Sequence, residues 1–169
     1  MKLRAIELTD IRRFAGRTVR VGPIGDGVSV LAAPNESGKS TLFDALHAVL
    51  FRPHTARPAE VRSLQPLGGG APRAAVEIEL DGTLWRIEKR WLSAPQARIL
   101  AADGSLIAQA DTAEAWIEAR LGAPLDGPSG LLWVRQGKAE FDRKDDPAAR
   151  RDILGQIAGE IDAMAGGRR

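Results

Sequence analysis

The stretch Ala33-Pro34-Asn35-Glu36-Ser37-Gly38-Lys39-Ser40-Thr41 constrains this chain more than any other. An apolar run, Val28 to Ala32, precedes it, and an apolar helical pattern follows from Lys39 to Phe51. Buried strand, loop and helix in that order are the context of a phosphate-binding P-loop. Backbone N–H groups in such a loop converge on phosphate oxygens at a helix N-terminus. Lys39 is expected to reach the β- and γ-phosphates, and the Ser40 hydroxyl to hold Mg²⁺. Ala33 occupies the place of the first glycine in the G-x-x-x-x-G-K-[ST] pattern. That glycine serves a tight turn, and alanine is tolerated there wherever φ stays negative. The alternative, a fortuitous Gly-Lys-Ser-Thr, is disfavoured by the flanking strand and helix patterns.

The surrounding sequence reads as strands around that unit. Leu3 to Thr9 alternates apolar and polar residues, and Arg17 to Val21 is a second short strand. The helix from Lys39 places Leu42, Ala45, Leu46, Val49 and Leu50 on one face and stops at Arg52-Pro53. Residues 52–72 hold several prolines and Gly68-Gly69-Gly70 and read as a long loop. Ala74–Leu80 and Thr83–Leu92 form a hairpin across Asp81-Gly82, and 97–100 with 106–108 a second across Asp103-Gly104. Asp111-Thr112 starts a helix to about Leu121, with Ala113, Trp116, Ile117 and Arg120 at helical spacing. Residues 122–130 read as a linker, 131–134 as an apolar strand or turn entering Arg135-Gln136-Gly137, and Pro147 as the start of a final helix.

What the chain lacks narrows its chemistry. It has no cysteine, which excludes disulfides and thiolate metal sites and fits a cytoplasmic setting. No apolar run approaches the roughly 20 residues of a membrane span. A net charge of +2 in 169 residues creates no global field for a polyanion. His47 and His54 have no companion at metal-ligand spacing and read as structural. Asp44, on the P-loop helix, reads as a local packing or capping partner.

Two segments together resemble the ATPase heads of the structural-maintenance-of-chromosomes (SMC) superfamily, in particular SbcC- and YhaN-type proteins. One is the opening strand, Asp10-Ile11-Arg12-Arg13-Phe14, the P-loop and Phe43-Asp44-Ala45-Leu46. The other is Val134-Arg135-Gln136-Gly137-Lys138-Ala139-Glu140-Phe141, similar to the family's Q-loop, with Gln136 lying 97 residues beyond Lys39. The resemblance implies an α/β fold: a P-loop NTPase head N-lobe with an antiparallel β-subdomain and a C-terminal helix that begins a coiled coil. It implies residues 1–144 as the N-terminal lobe (P-loop 33–41, β-lobe 73–108, Q-loop 134–138) and 145–169 as the start of a coiled-coil arm. No apolar run precedes an Asp-Glu pair, and no Leu-Ser-Gly-Gly signature occurs. The chain is therefore expected to be half of a head whose catalytic glutamate lies elsewhere.

By the same resemblance, residues 33–41 bind ATP, Ser40 and Gln136 hold Mg²⁺, and Gln136 positions the attacking water. Either Arg12 or Arg13 approaches the phosphates; a solvated strand edge is the alternative for both. Expected partners are the C-terminal half of the head, a second head, DNA and an SbcD-type phosphoesterase nuclease, with no membrane. DNA repair or end processing is the implied setting, with phage defence or chromosome segregation in the same class. Arg86 and Arg90 share one strand face and, with Arg62, Arg73 and Arg98, are candidates for DNA phosphates. A solvated face interrupted by Glu88 is the rival reading. Trp85, Ile87 and Trp91 should point to the core. A self-contained kinase or GTPase would need its own Asp after an apolar strand, and none occurs. An interaction module retaining the P-loop as a structural turn stays open.

Overall fold

The computed structural model of the chain describes residues 1–57 and 59–121. Residues 131–137, with Gln136, and the helix expected from Pro147 lie outside them. In chain order the elements are β1 (Lys2–Thr9), a 3-10 turn (Arg12–Phe14), β2 (Thr18–Val21), α1 (Lys39–Phe51), α2 (Ala59–Arg62), β3 (Arg73–Leu80), β4 (Thr83–Arg90), β5 (Gln96–Ala101), β6 (Leu106–Gln109) and α3 (Ala110–Leu121). The strands make one antiparallel sheet in the order β2-β1-β3-β4-β5-β6.

Period-two alternation divides this sheet into an apolar and a charged face. Ile6, Leu8, Val76, Ile78, Ile87 and Ile99 point inward and are fully buried. Each such side chain contributes about 1.5–3 kcal/mol on leaving water. A register shift between Leu3 and Ala5 turns both Ala5 and Ile6 into the core. Asp81 (φ 50°) and Gly82 (φ 76°) supply the two left-handed residues of a two-residue hairpin turn, as their sequence predicts.

Helix α1 lies against this face, but its buried stripe is rotated from the expected one. Thr41, Ala45, Ala48, Val49, Leu50 and Phe51 are buried, while Leu42 and Leu46 are only half-buried. The small residues Ala45 and Ala48 meet the sheet, and the two leucines fall on the flank. A larger departure concerns Val28–Ala32, the expected buried strand. These residues join no sheet, and Val28 and Val30 are 96% and 85% exposed. A β-branched apolar run becomes a buried strand only if a neighbouring strand pairs with it. The one sheet of the described residues is formed entirely by other segments.

Between α1 and α3 the inner face carries a charge. Lys89 shares its side of β4 with Trp85 and Ile87 and is 1% exposed. Its Nζ donates to Arg52 O (2.8 Å), at the C-terminal end of α1, and to Glu114 Oε2 (2.7 Å) on α3. Glu114 Oε1 accepts from His54 N (2.7 Å) and lies 3.0 Å from His54 Nδ1. Trp91, also fully buried, donates from Nε1 to Pro53 O (3.0 Å). Burial pushes the Lys89 ammonium below its ordinary value, against the pull of Glu114. His54 is thus a buried partner in a helix–sheet clamp. Among the described residues no group of three or more His, Asp or Glu could hold a metal ion.

The outer face is knitted by ion pairs. Arg20 reaches Glu77 with both terminal nitrogens (2.9 and 2.8 Å). Arg86 bridges Glu7 (2.9 Å), Glu77 (3.2 Å) and Glu88 (2.8 Å), and Glu88 also holds Arg98 (2.6 Å). Arg4 pairs with Glu79 (2.6 Å) and Asp26 (2.7 Å). Bonds from Arg20 hold the Glu77 carboxyl below its ordinary value. For Glu88 burial acts upward, but its bonds to Arg86 and Arg98 outweigh it and the carboxyl is also lowered. Carboxylates lowered in the folded state stabilise it above their unfolded value, 4.5, and that stabilisation fades as pH falls through the lower folded values. The urea midpoint is therefore expected to hold between pH 7 and 5 and to fall steeply below 4.5. Glu77→Gln should flatten the acid limb; an unchanged limb would show that the ladder contributes nothing.

Candidate phosphate-binding site

Helix α1 begins at Gly38, whose φ of 105° lies outside the range ordinary residues adopt. The first helical bond runs from Leu42 N to Gly38 O (2.9 Å). No side chain caps this end, and no acidic residue occupies the first turn. The first N–H groups of a helix lack intrahelical acceptors and carry the positive end of its dipole. An uncapped N-terminus beneath a tight loop is therefore open to an anion.

The loop is closed by its own lysine. Lys39 Nζ donates to Ala33 O (2.6 Å) and Pro34 O (2.8 Å). Ser37 N donates to Pro34 O (3.3 Å), and Glu36 takes a φ of 63°. Ala33 is outside the left-handed region, so alanine carries no backbone strain at the first position of the motif. Pro34, Asn35 and Glu36 are exposed, and Ser40 is exposed at the first turn. Thr41 is buried on the sheet side, where its Oγ1 meets Arg12 Nη1 at 3.5 Å. Ser37 Oγ is shut from solvent with no hydrogen-bond partner among the described residues. An orphaned hydroxyl beside an uncapped helix end and a lysine within the loop is a donor set that fits a polyphosphate. These residues fit a nucleotide, and Ser40 is the first-turn hydroxyl that could hold its metal ion.

The turn after β1 packs directly on this loop. A Cβ at Gly38 would stand 2.6 Å from Phe14 Cζ and 3.7 Å from Arg13 Cδ. Arg12 and Arg13 therefore separate into distinct roles. Arg12 is engaged with Asp44 Oδ2 (2.8 Å), Ser63 O (2.8 Å) and Ser63 Oγ (3.2 Å), which also makes Asp44 the local partner expected of it. Arg13 is exposed beside the loop, and its guanidinium makes no bond among the described residues. The Asp10 carboxylate accepts from Gly16 N (3.1 Å) and Ala71 N (3.2 Å), joining this turn to the Gly68–Gly70 segment. Asp10 and Phe14 lie in a segment that carries the resemblance, but their packing on the loop has no local sequence signal.

The arginines considered for DNA are dispersed. Arg86 and Arg98 belong to the ion-pair ladder. Arg62 is exposed at the end of α2. Arg73 and Arg90 stand directly opposite each other on β3 and β4.

The sequence profile of a P-loop containing region of AAA domains matches residues 3–58. A solved structure described under "Structural biochemistry of ATP-driven dimerization and DNA stimulated activation of SMC ATPases" is similar at 20% identity. It covers 93% of this chain and 99% of its own, with a TM-score of 0.59. The SMC head domain from Thermotoga maritima aligns at 22% identity over 64% of this chain and 39% of its own, with a TM-score of 0.44. No curated protein matches by sequence. Among the described residues no helix is long and apolar enough to cross a membrane.

Proposed function

We propose that this chain, which has the fold of the N-terminal part of an SMC-type ATPase head, binds ATP·Mg²⁺ at residues 33–41 as one half of a composite ATPase site. The observation that carries this is the uncapped N-terminus of α1 with Lys39 folded back onto the loop carbonyls. With nucleotide bound, Lys39 would exchange those two carbonyls for phosphate oxygens, and Ser40 would hold Mg²⁺. Bound Mg²⁺ supplies neutralisation of the phosphate charge. Arg13, whose guanidinium makes no bond among the described residues, closes on the phosphates rather than Arg12. Gln136 positions the attacking water, and the general base comes from outside the chain.

The exposed Val28–Leu31 segment supports a docking lobe that carries the Walker B strand and signature motif. A second head and DNA are proposed partners, supported by the dimerisation and DNA stimulation named for the similar SMC ATPases. The setting proposed is double-strand break repair or end processing in the cytoplasm, with an SbcD-type nuclease as co-factor protein and residues 145–169 opening a coiled-coil arm.

Isothermal titration with ATP·Mg²⁺ tests the reading. The chain should bind in the micromolar-to-millimolar range with almost no turnover, and Lys39→Ala should abolish the heat. Robust hydrolysis lost in Lys39→Ala would refute the half-site. No heat from either protein would favour a P-loop retained as a structural turn in an interaction module.

A further inference from the structure

The outer face of the sheet is divided by register into rows that run across the strands, and one row is unlike the others. In the row Arg20, Glu7, Ala75, Glu88, Arg98 each arginine stands beside a carboxylate, and the two pairs, Arg20–Glu7 and Glu88–Arg98, are bridged on either side of Ala75. The next, with Glu77 and Arg86 opposite each other, is bridged as well. At the end of the sheet nearest the Asp10–Phe14 turn, Thr18, Thr9, Arg73, Arg90 and Gln96 stand in register across five strands. This row contains only hydrogen-bond donors and neutral acceptors, and no carboxylate.

Two like charges directly opposite on neighbouring strands repel and destabilise a sheet. Arg4, Arg20, Arg86 and Arg98 on this face each hold a carboxylate. Arg73 and Arg90 hold none among the described residues. Arg90 Nε donates to Ala94 O (2.6 Å), which fixes the guanidinium plane and leaves both terminal nitrogens open. Thr9 and Thr18 are joined hydroxyl to hydroxyl (2.9 Å) beside them. Asp10, the carboxylate next in sequence to the row, is already committed to Gly16 N and Ala71 N. Adjacent strands are about 4.8 Å apart, so the row spans about 19 Å of donors facing solvent.

We propose that this row is a contact site for the phosphate backbone of duplex DNA, with Arg73 and Arg90 at its centre, and that Arg86 and Arg98 take no part in it. Guanidinium pairs match phosphate oxygens bidentately and, being on rigid strands, set position without reading sequence. The choice of duplex as occupant rests on the head-lobe reading above; the row itself rests on register and pairing alone.

The test is fluorescence anisotropy of the full chain with a short labelled duplex over a range of salt. Each phosphate contact contributes about 0.9 to the slope of log K against log salt. Arg73→Gln/Arg90→Gln should therefore lower the slope by about 1.8, and Arg73→Lys/Arg90→Lys should restore it. Arg98→Gln should leave the slope unchanged. Because the glutamine pair removes a repulsion, its urea midpoint should stay level or rise, which a merely structural role for the arginines would reverse. An unaltered slope in the glutamine pair, an equal loss in Arg98→Gln, or preference for poly-glutamate over duplex would overturn the proposal. Lys39→Ala should abolish ATP heat while keeping the duplex slope, so failure of the nucleotide reading and of this one are seen separately.

Discussion

Glu114→Ala is expected to lower the stability of the described unit by about 3–5 kcal/mol, the range for removing one partner of a buried ion pair. The reason lies in what the substitution strands. Lys89 is 1% exposed and keeps only the Arg52 carbonyl when Glu114 is gone. His54 loses the acceptor of its backbone N–H in the same step. Urea unfolding followed by Trp fluorescence reads the shift, because Trp91 is buried beside the clamp. Lys89→Met is expected to be milder, since its chain fills the same apolar slot and Glu114, 21% exposed, retains His54. The double variant Lys89→Met/Glu114→Ala should recover part of the loss, because the stranded ammonium is gone. If Glu114→Ala and Lys89→Met simply add in the double-mutant cycle, the pair is not coupled.

Gly38→Ala is expected to be the most damaging single change in the loop. A φ of 105° with a side chain adds about 1–3 kcal/mol of backbone strain. The new Cβ would also stand 2.6 Å from Phe14 Cζ, and moving a packed ring adds about 1–3 kcal/mol more. ATP·Mg²⁺ heat should vanish, because the first turn of α1 shifts with residue 38. Phe14→Ala in the Gly38→Ala background should return the steric part of the stability but not the strain. A double variant no more stable than Gly38→Ala would show that the ring is not the obstacle. Gly38→Asn, the residue most tolerant of positive φ after glycine, should fall between them in strain and keep the clash.

How far these sites could be read from the chain depends on whether their determinants are local. Asp81-Gly82 and the Lys39–Phe51 helix are local, and both stand as the sequence predicts. Val28–Ala32 has the composition of a buried strand, but pairing is a property of two segments, and no described strand pairs with it. Arg86 and Arg98 look like a basic face along their own strands. Their neutralisation by Glu7, Glu77 and Glu88 appears only when register brings other strands alongside. Lys89 was legible in principle. Period two places it with Trp85 and Ile87, and an ammonium at an inward position demands an acid from another element, which Glu114 supplies. The packing of Phe14 on Gly38 had no sequence counterpart, because it joins two turns 24 residues apart.

On the proposed reading, the exposed run that enters the phosphate loop would make nucleotide affinity a reporter of assembly. Val28 and Val30 stand almost wholly in water only a few residues before the carbonyls that hold Lys39. A surface that paired with this run would act on the backbone leading into Ala33 and Pro34, whose carbonyls hold Lys39. Reciprocity then requires nucleotide to tighten or loosen that pairing by the same factor. Under that coupling the free chain would keep its own affinity, and only the apparent affinity would vary. The apparent dissociation constant would then track the concentration of any partner strand that pairs with the run.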